Sequence, residues 1–210
     1  MSTVKNLLFD MGGVIIPISQ PRAIERFKEL GLRDAVQCLN PYKQKGIFGE
    51  LEGGSISAEE FRQELSNMLG REVTMEECSY GWLGYLLEVP RKNFDTLLKL
   101  RSEGYRIILV SNNNPFVTDY IMSPGFDGCG HGLGYYLDAV YVSYRLKCMK
   151  PSEEFFRKVF AAENTVPEEC LFVDDSKANI SAGASLGMHT YLAENGADWT
   201  QGVINYLKSI

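Results

Sequence analysis

The sequence is poor in the residues that mark several common functional classes. Only two histidines occur in 210 residues. The five cysteines, Cys38, Cys78, Cys129, Cys148 and Cys170, are odd in number, scattered, and nowhere spaced as CxxC. That gives no ground for a thiolate metal site or a disulfide framework and suits reduced thiols in a cytoplasmic protein. Basic residues are outnumbered, 21 Lys and Arg against 27 Asp and Glu, for a formal net charge of -6. A nucleic-acid partner needs a basic face, so none is expected; a small phosphorylated ligand needs only one local positive site. No basic leader with a small-residue cleavage site precedes the first apolar run, and no run approaches the length of a membrane span, so neither secretion nor a membrane partner is expected. What remains is an ordinary globular composition, long enough for one sizeable core or a core with a small insertion.

The informative stretch comes first. Val4–Phe9 is an apolar run that ends on Asp10, with Gly12 and Gly13 directly after it. The run is too short for a buried helix and reads as a buried strand. Asp10 then emerges at the carboxyl end, the edge where open α/β sheets bind ligands. Gly12 and Gly13 permit a tight turn and close approach of a ligand to the backbone.

Pro17 and Pro21 mark a linker, and the texture then changes. Pro21–Leu30 reads as an amphipathic helix stopped by Gly31, Asn40-Pro41 as a break, and Glu50–Gly54 as a turn. Ser57 with Glu60 and Thr74 with Glu77 form capping boxes that open helices to about Leu69 and Val89. From Pro90 the chain alternates: helix Pro90–Glu103, strand Tyr105–Val110, a short helix to about Met122, a glycine-rich loop Ser123–Gly134, strand Ala139–Ser143, helix Pro151–Glu163, strand Cys170–Val173, helix Ser176–Leu186, strand His189–Leu192 and helix Asp198–Lys208. Alternation of this kind implies parallel crossovers and a doubly wound α/β sheet. The expected division is a Rossmann-like core of residues 1–16 and 90–210 with a helical cap of residues 17–89.

Four polar stations fall at or just beyond strand ends: Asp10, Ser111-Asn112, Lys150-Pro151 and Asp174-Asp175. Parallel strands put them on one edge. Three carboxylates so crowded repel one another, and a hard divalent cation such as Mg²⁺ relieves this. Ser111 offers a hydroxyl, the backbone N–H groups of Ser111 and Asn112 offer donors, and Lys150 offers positive charge. Carboxylate nucleophile, metal, hydroxyl and lysine together suit phosphoryl transfer.

FDMGGVI, LVSNNN, MKPS and FVDDSKANI, in this order, resemble the four motifs of the haloacid dehalogenase superfamily. The resemblance covers nearly the whole chain, and the helical block resembles the cap of its C1 members. The GGV form of the first motif, with Gly49–Phe61, resembles the branch containing bacterial glucose-1-phosphate phosphatases. The resemblance implies a Mg²⁺-dependent phosphatase of a small phosphorylated metabolite, a sugar phosphate such as a sugar 1-phosphate, acting through an aspartyl-phosphate. It makes Asp10 the nucleophile, Ser111, Asn112 and Lys150 the phosphoryl-binding groups, and Asp10, the Gly12 carbonyl, Asp174 and Asp175 the metal ligands. Two alternatives stay open: a 2-haloacid dehalogenase, and a non-catalytic phosphate-binding or signalling module.

One departure matters. Most phosphatases of the superfamily carry an acidic general acid/base two residues after the nucleophile, and this chain has Gly12. Loss of such a group costs about 10²–10⁴-fold. Three readings stand: a good leaving group, a substitute from the cap such as Glu50 or Glu52, or a slow or silent protein. As isolated residues, Glu50 and Glu52 read as solvated turn residues. Tyr80, Trp82 and Tyr85 read as cap core, and His131 and His189 as structural residues. Lys147 is a rival to Lys150, and the role of Asn179 is open.

Overall fold

A computed structural model describes residues 4–40 and 44–210. Pro41 of the expected Asn40-Pro41 break lies outside the described residues.

Five strands, β1 (Asn6–Phe9), β2 (Arg106–Ser111), β3 (Ala139–Val142), β4 (Cys170–Asp174) and β5 (His189–Leu192), form one sheet in the order β3-β2-β1-β4-β5. Every pairing is parallel. Between β1 and β2 the chain runs through α1 (Gln20–Glu29), α2 (Ala35–Cys38), α3 (Ile47–Gly53), α4 (Ala58–Leu69), α5 (Met75–Trp82) and α6 (Arg91–Ser102). Then come α7 (Pro115–Met122) after β2, α8 (Ser143–Leu146) and α9 (Glu153–Glu163) after β3, α10 (Lys177–Ser185) after β4 and α11 (Thr200–Ser209) after β5.

The sheet is buried on both faces, and its side chains alternate between two cores as strand geometry requires. Leu8, Ile108, Val110, Cys170 and Phe172 face α9 through Phe155, Phe156, Val159 and Phe160. Leu7, Phe9, Ile107, Leu109, Leu171 and Val173 face the other way, with Phe94 and Leu97 of α6 and Val203 and Leu207 of α11. That second core continues without a break into the helical block through Phe27, Phe48, Phe61 and Trp82, whose rings meet at 5.0 to 6.0 Å.

Both expected capping boxes form, at Ser57–Glu60 and Thr74–Glu77. Gly70 closes α4 at φ 64°, a left-handed position natural to glycine. Two expectations fail. The helix from Thr74 ends at Trp82 rather than near Val89. After a single 3₁₀ turn the chain straightens, because Tyr85–Leu87 is drawn into hydrogen bonds with Pro17–Ser19: Ser19 N to Tyr85 O at 2.7 Å and Leu87 N to Pro17 O at 3.0 Å. And Glu50–Gly54, expected as a turn, is mostly the last part of α3, with the turn confined to Gly54 at φ 74°. The adjacent glycines hid the helix. Its packing is plain in hindsight, since Phe48, Leu51 and Glu52 are i, i+3 and i+4 on one buried face.

Candidate active site

β1, at the centre of the sheet, delivers Asp10, and its neighbours β2 and β4 deliver Ser111 and Asp174. Phe9 is in register with Leu109 on one side and Val173 on the other, so these ends emerge at nearly one level. Asp10, Gly12, Ser111, Asn112, Lys150 and Asp175 line one cavity of about 80 Å³, closed over by Ile18, Gln44, Glu52, Trp82 and Tyr85 from the helical block.

Lys150 sits at the centre. Its Nζ lies 3.0 Å from Asp10 Oδ1 and 2.6 Å from Asp174 Oδ2, with its side chain 1% exposed. Burial alone would lower its pKa, but the two carboxylates outweigh that and hold it up. The rival Lys147 is exposed, at a left-handed turn outside the cavity. The backbone of Lys150 is fixed by Asn112, whose side chain donates to Lys150 O at 2.9 Å and accepts from Lys150 N at 2.8 Å. The Asn112 side chain is therefore a clamp on the lysine, and its backbone N–H, the group expected to meet phosphate, belongs to a residue that lines the cavity.

The acidic pair divides. Asp174 is fully buried and saturated: Oδ2 accepts from Lys150 Nζ, Oδ1 from Ser176 N at 2.8 Å, and both from Asn179 Nδ2 at 3.0 and 3.1 Å. Asn179, whose role the sequence left open, is a brace for that carboxylate. Asp175 instead faces the cavity. Burial and the neighbouring Asp10 and Asp174 charges push its carboxyl up to about 7. Asp10 is raised to about 6, first by burial, with Lys150 opposing and Asp174 adding to the rise. Oxygen atoms of Asp10, Asp174 and Asp175 all lie within 4.8 Å of one another. Three hard oxygen donors with one shared lysine leave an excess of negative charge, and this donor set fits a small divalent cation such as Mg²⁺.

Of the two glycines after Asp10, Gly13 carries the geometric demand. It has φ 82°, and a Cβ there would fall 2.2 Å from Asp175 Oδ2. Gly12 has ordinary backbone, with Ile18 Cγ2 at 3.3 Å as the nearest neighbour of such an atom.

Glu52 is the residue whose setting departs most from expectation. It is 7% exposed rather than solvated. Burial, and secondarily the Asp10 charge, push its carboxyl up to about 8. Glu50, two residues earlier and so on the opposite side of the helix, is exposed. Trp82 is core, as expected, and with Tyr85 it also walls the cavity; Tyr80 lies outside it, exposed beneath Arg26. His131 and His189 are outside the cavity. Among the described residues no helix is long and apolar enough to cross a membrane.

Known proteins bear on this arrangement. A D-ribitol-5-phosphate phosphatase of Bacteroides thetaiotaomicron is 45% identical over 206 residues, covering 98% of this chain and all of that one. A HAD-like family hydrolase from Porphyromonas gingivalis superposes with a TM-score of 0.93 at 40% identity, over 99% of both chains. A HAD family enzyme of Bacteroides thetaiotaomicron, solved in complex with magnesium and inorganic phosphate, is 33% identical with a TM-score of 0.85, covering 94% of this chain and 98% of that one. The family model of haloacid dehalogenase-like hydrolases matches residues 4–187. With that match spanning most of its length and its motif ends gathered on one sheet edge, this chain belongs to the haloacid dehalogenase-like hydrolases.

Proposed function

We propose that the chain is a Mg²⁺-dependent phosphatase of a small phosphorylated metabolite, with an acyclic polyol phosphate such as D-ribitol 5-phosphate as the leading substrate class. The observation that carries the reading is the cluster of Asp10, Asp174 and Asp175, the first two paired with Lys150. Asp10, the Gly12 carbonyl and Asp175 would hold the cation, with Asp174 behind them. When bound, the cation neutralises the phosphoryl oxygens over which transition-state charge is spread. Asp10 attacks phosphorus and carries the phosphoryl group as an aspartyl-phosphate until water releases it. The Ser111 hydroxyl, the Asn112 backbone N–H and Lys150 hold the equatorial oxygens. Residues 17–89 act as a cap on a core of residues 1–16 and 90–210; Gln44, Glu52, Trp82 and Tyr85 of that block wall the cavity and exclude water.

The substrate class comes from the relative that is 45% identical. Its ester oxygen belongs to a primary alcohol, so the reading no longer leans on the easier anomeric leaving group of a sugar 1-phosphate. A dehalogenase reading fares worse here, because Asp175 would repel a haloacid's own carboxylate. The test is phosphate release from D-ribitol 5-phosphate, sugar 1-phosphates and an aryl phosphate, with Mg²⁺ or with chelator, and Asp10→Asn as control. Turnover that needs both Mg²⁺ and Asp10 is expected. Turnover indifferent to either would overturn the assignment.

A further inference from the structure

We infer that Glu52, reaching the cavity from the helical block, is the acid that protonates the departing alcohol oxygen and then the base that activates water. The inference rests on the phosphatase reading above. A primary alkoxide is a poor leaving group, so some residue must supply a proton, and Gly12 has none to give.

The other proton carriers of the cavity are committed. Lys150 is pinned by two carboxylates. Tyr85 donates to Asn40 O at 3.2 Å and Gln44 Oε1 at 3.3 Å, turning its proton away, and burial raises its pKa still further. Asp10 and Asp175 belong to the carboxylate cluster. Glu52 alone among the acids lining the cavity comes from the block that covers it, facing the nucleophile's edge. Among the described residues its carboxyl has no ion pair to hold it ionised. Its raised pKa keeps a proton available at neutral pH.

The proton balance closes. In the first step Asp10 forms an O–P bond, the ester O–P bond breaks, and the Glu52 proton goes to the leaving oxygen. In the second, the Glu52 carboxylate takes a proton from water as the water oxygen bonds phosphorus. The Asp10–phosphorus bond then breaks, hydrogen phosphate leaves, and Glu52 is protonated again.

Leaving-group dependence tests this. Wild type, Glu52→Gln and Glu52→Asp are assayed on D-ribitol 5-phosphate and on p-nitrophenyl phosphate, whose phenolate leaves without a proton. Glu52→Gln is expected to lose about 10²–10⁴-fold on the alkyl ester. On the aryl ester it should still give a fast burst of one nitrophenolate per enzyme followed by slow turnover, because the first step needs no acid and the second has lost its base. Glu52→Asp should recover part of the alkyl activity. Equal slowing on both esters without a burst, or full activity on both, would overturn the inference while leaving the phosphatase reading intact. Failure of wild type on both esters would instead sink the phosphatase reading and this inference with it. An activity-independent check is the infrared carbonyl stretch of a protonated carboxyl at neutral pH, expected in wild type and diminished in Glu52→Gln. An unchanged spectrum would mean that Glu52 is ionised and has no proton to donate.

Discussion

The hydroxyl of Ser143 donates to the carbonyl oxygen of Glu52 at 2.6 Å. The buried Ser143 Oγ in turn accepts the backbone N–H of Asn113 at 2.9 Å. One hydroxyl at the end of β3 thus ties the last turn of α3 to the loop that follows Ser111. Ser143→Ala leaves both partners unsatisfied in the interior, which costs roughly 1–3 kcal/mol. Urea unfolding should show that loss. Steady-state kinetics should show a fall in kcat greater for an alkyl than for an aryl phosphate, since Glu52 loses its tether.

Gly13 permits the close approach of the loop after β1 to Asp175. Gly13→Ala combines a left-handed backbone with overlap on the Asp175 carboxyl, so a stability loss of at least about 1 kcal/mol is expected, together with a higher Mg²⁺ concentration for half-maximal activity. Gly12→Ala meets only the flexible Ile18 side chain and should lower the melting temperature much less. Thermal melts of the two variants side by side separate the roles of the paired glycines.

Lys150→Met strands the buried Asp10 and Asp174 carboxylates. Breaking a buried ion pair from one side typically costs about 3–5 kcal/mol, and phosphoryl binding should be lost with it. Asn112→Ala removes the clamp on the Lys150 backbone and should fall between wild type and Lys150→Met in both stability and kcat. If Asn112→Ala matched wild type in both, the clamp would have no part in placing the lysine.

Glu52 makes stability depend on pH in a definite direction. Its carboxyl stands at about 8 in the fold against 4.5 as a free side chain. Below 4.5 it is protonated in both folded and unfolded chains and contributes no difference. Between these values the unfolded chain ionises and the folded one does not, so its contribution to stability falls as pH rises and stays lost above about 8. Glu52→Gln should therefore gain on wild type across that window, as read by melting temperatures from pH 4 to pH 9. The charged or titratable groups around Glu52 are Asp10, Lys150, Asp175 and Tyr85 in the cavity. On the helices packed against α3, Arg145 bonds Tyr144, Arg62 pairs with Glu59, Glu60 caps its own helix and Glu64 is exposed.

Much of this was legible in the sequence because the relevant signals are local. Val4–Phe9 ending on Asp10, Cys170–Val173 ending on Asp174 and the alternating helices between them dictate a parallel sheet with acids at one edge. Ser57–Glu60 and Gly70 bracket α4 through caps that depend on a few neighbouring residues. What stayed hidden depends on residues far apart in the chain. Glu52 read as a turn residue because Gly53 and Gly54 dominate their surroundings, and only its packing beside Phe48 and Leu51 turns it inward. The divided roles of Asp174 and Asp175 are set by Asn179 and Lys150, which no spacing rule connects. The helix from Thr74 stops early because the chain at Pro17–Ser19 captures its continuation.

That capture places the way into the helical block beside the way out. Ile18 and Leu86 form an antiparallel bridge, so the two crossings run as a pair of stitched threads. To the sheet, the intervening sequence is a loop of nearly zero span: its departure and return points stay fixed whatever lies between them. Residues 20–84 can therefore change in length without shifting Asp10, provided they keep an apolar underside to the shared core and an acid in the place of Glu52. Asp10 is thus placed by the sheet and Glu52 by the covering block, and the paired crossings keep the one in register with the other.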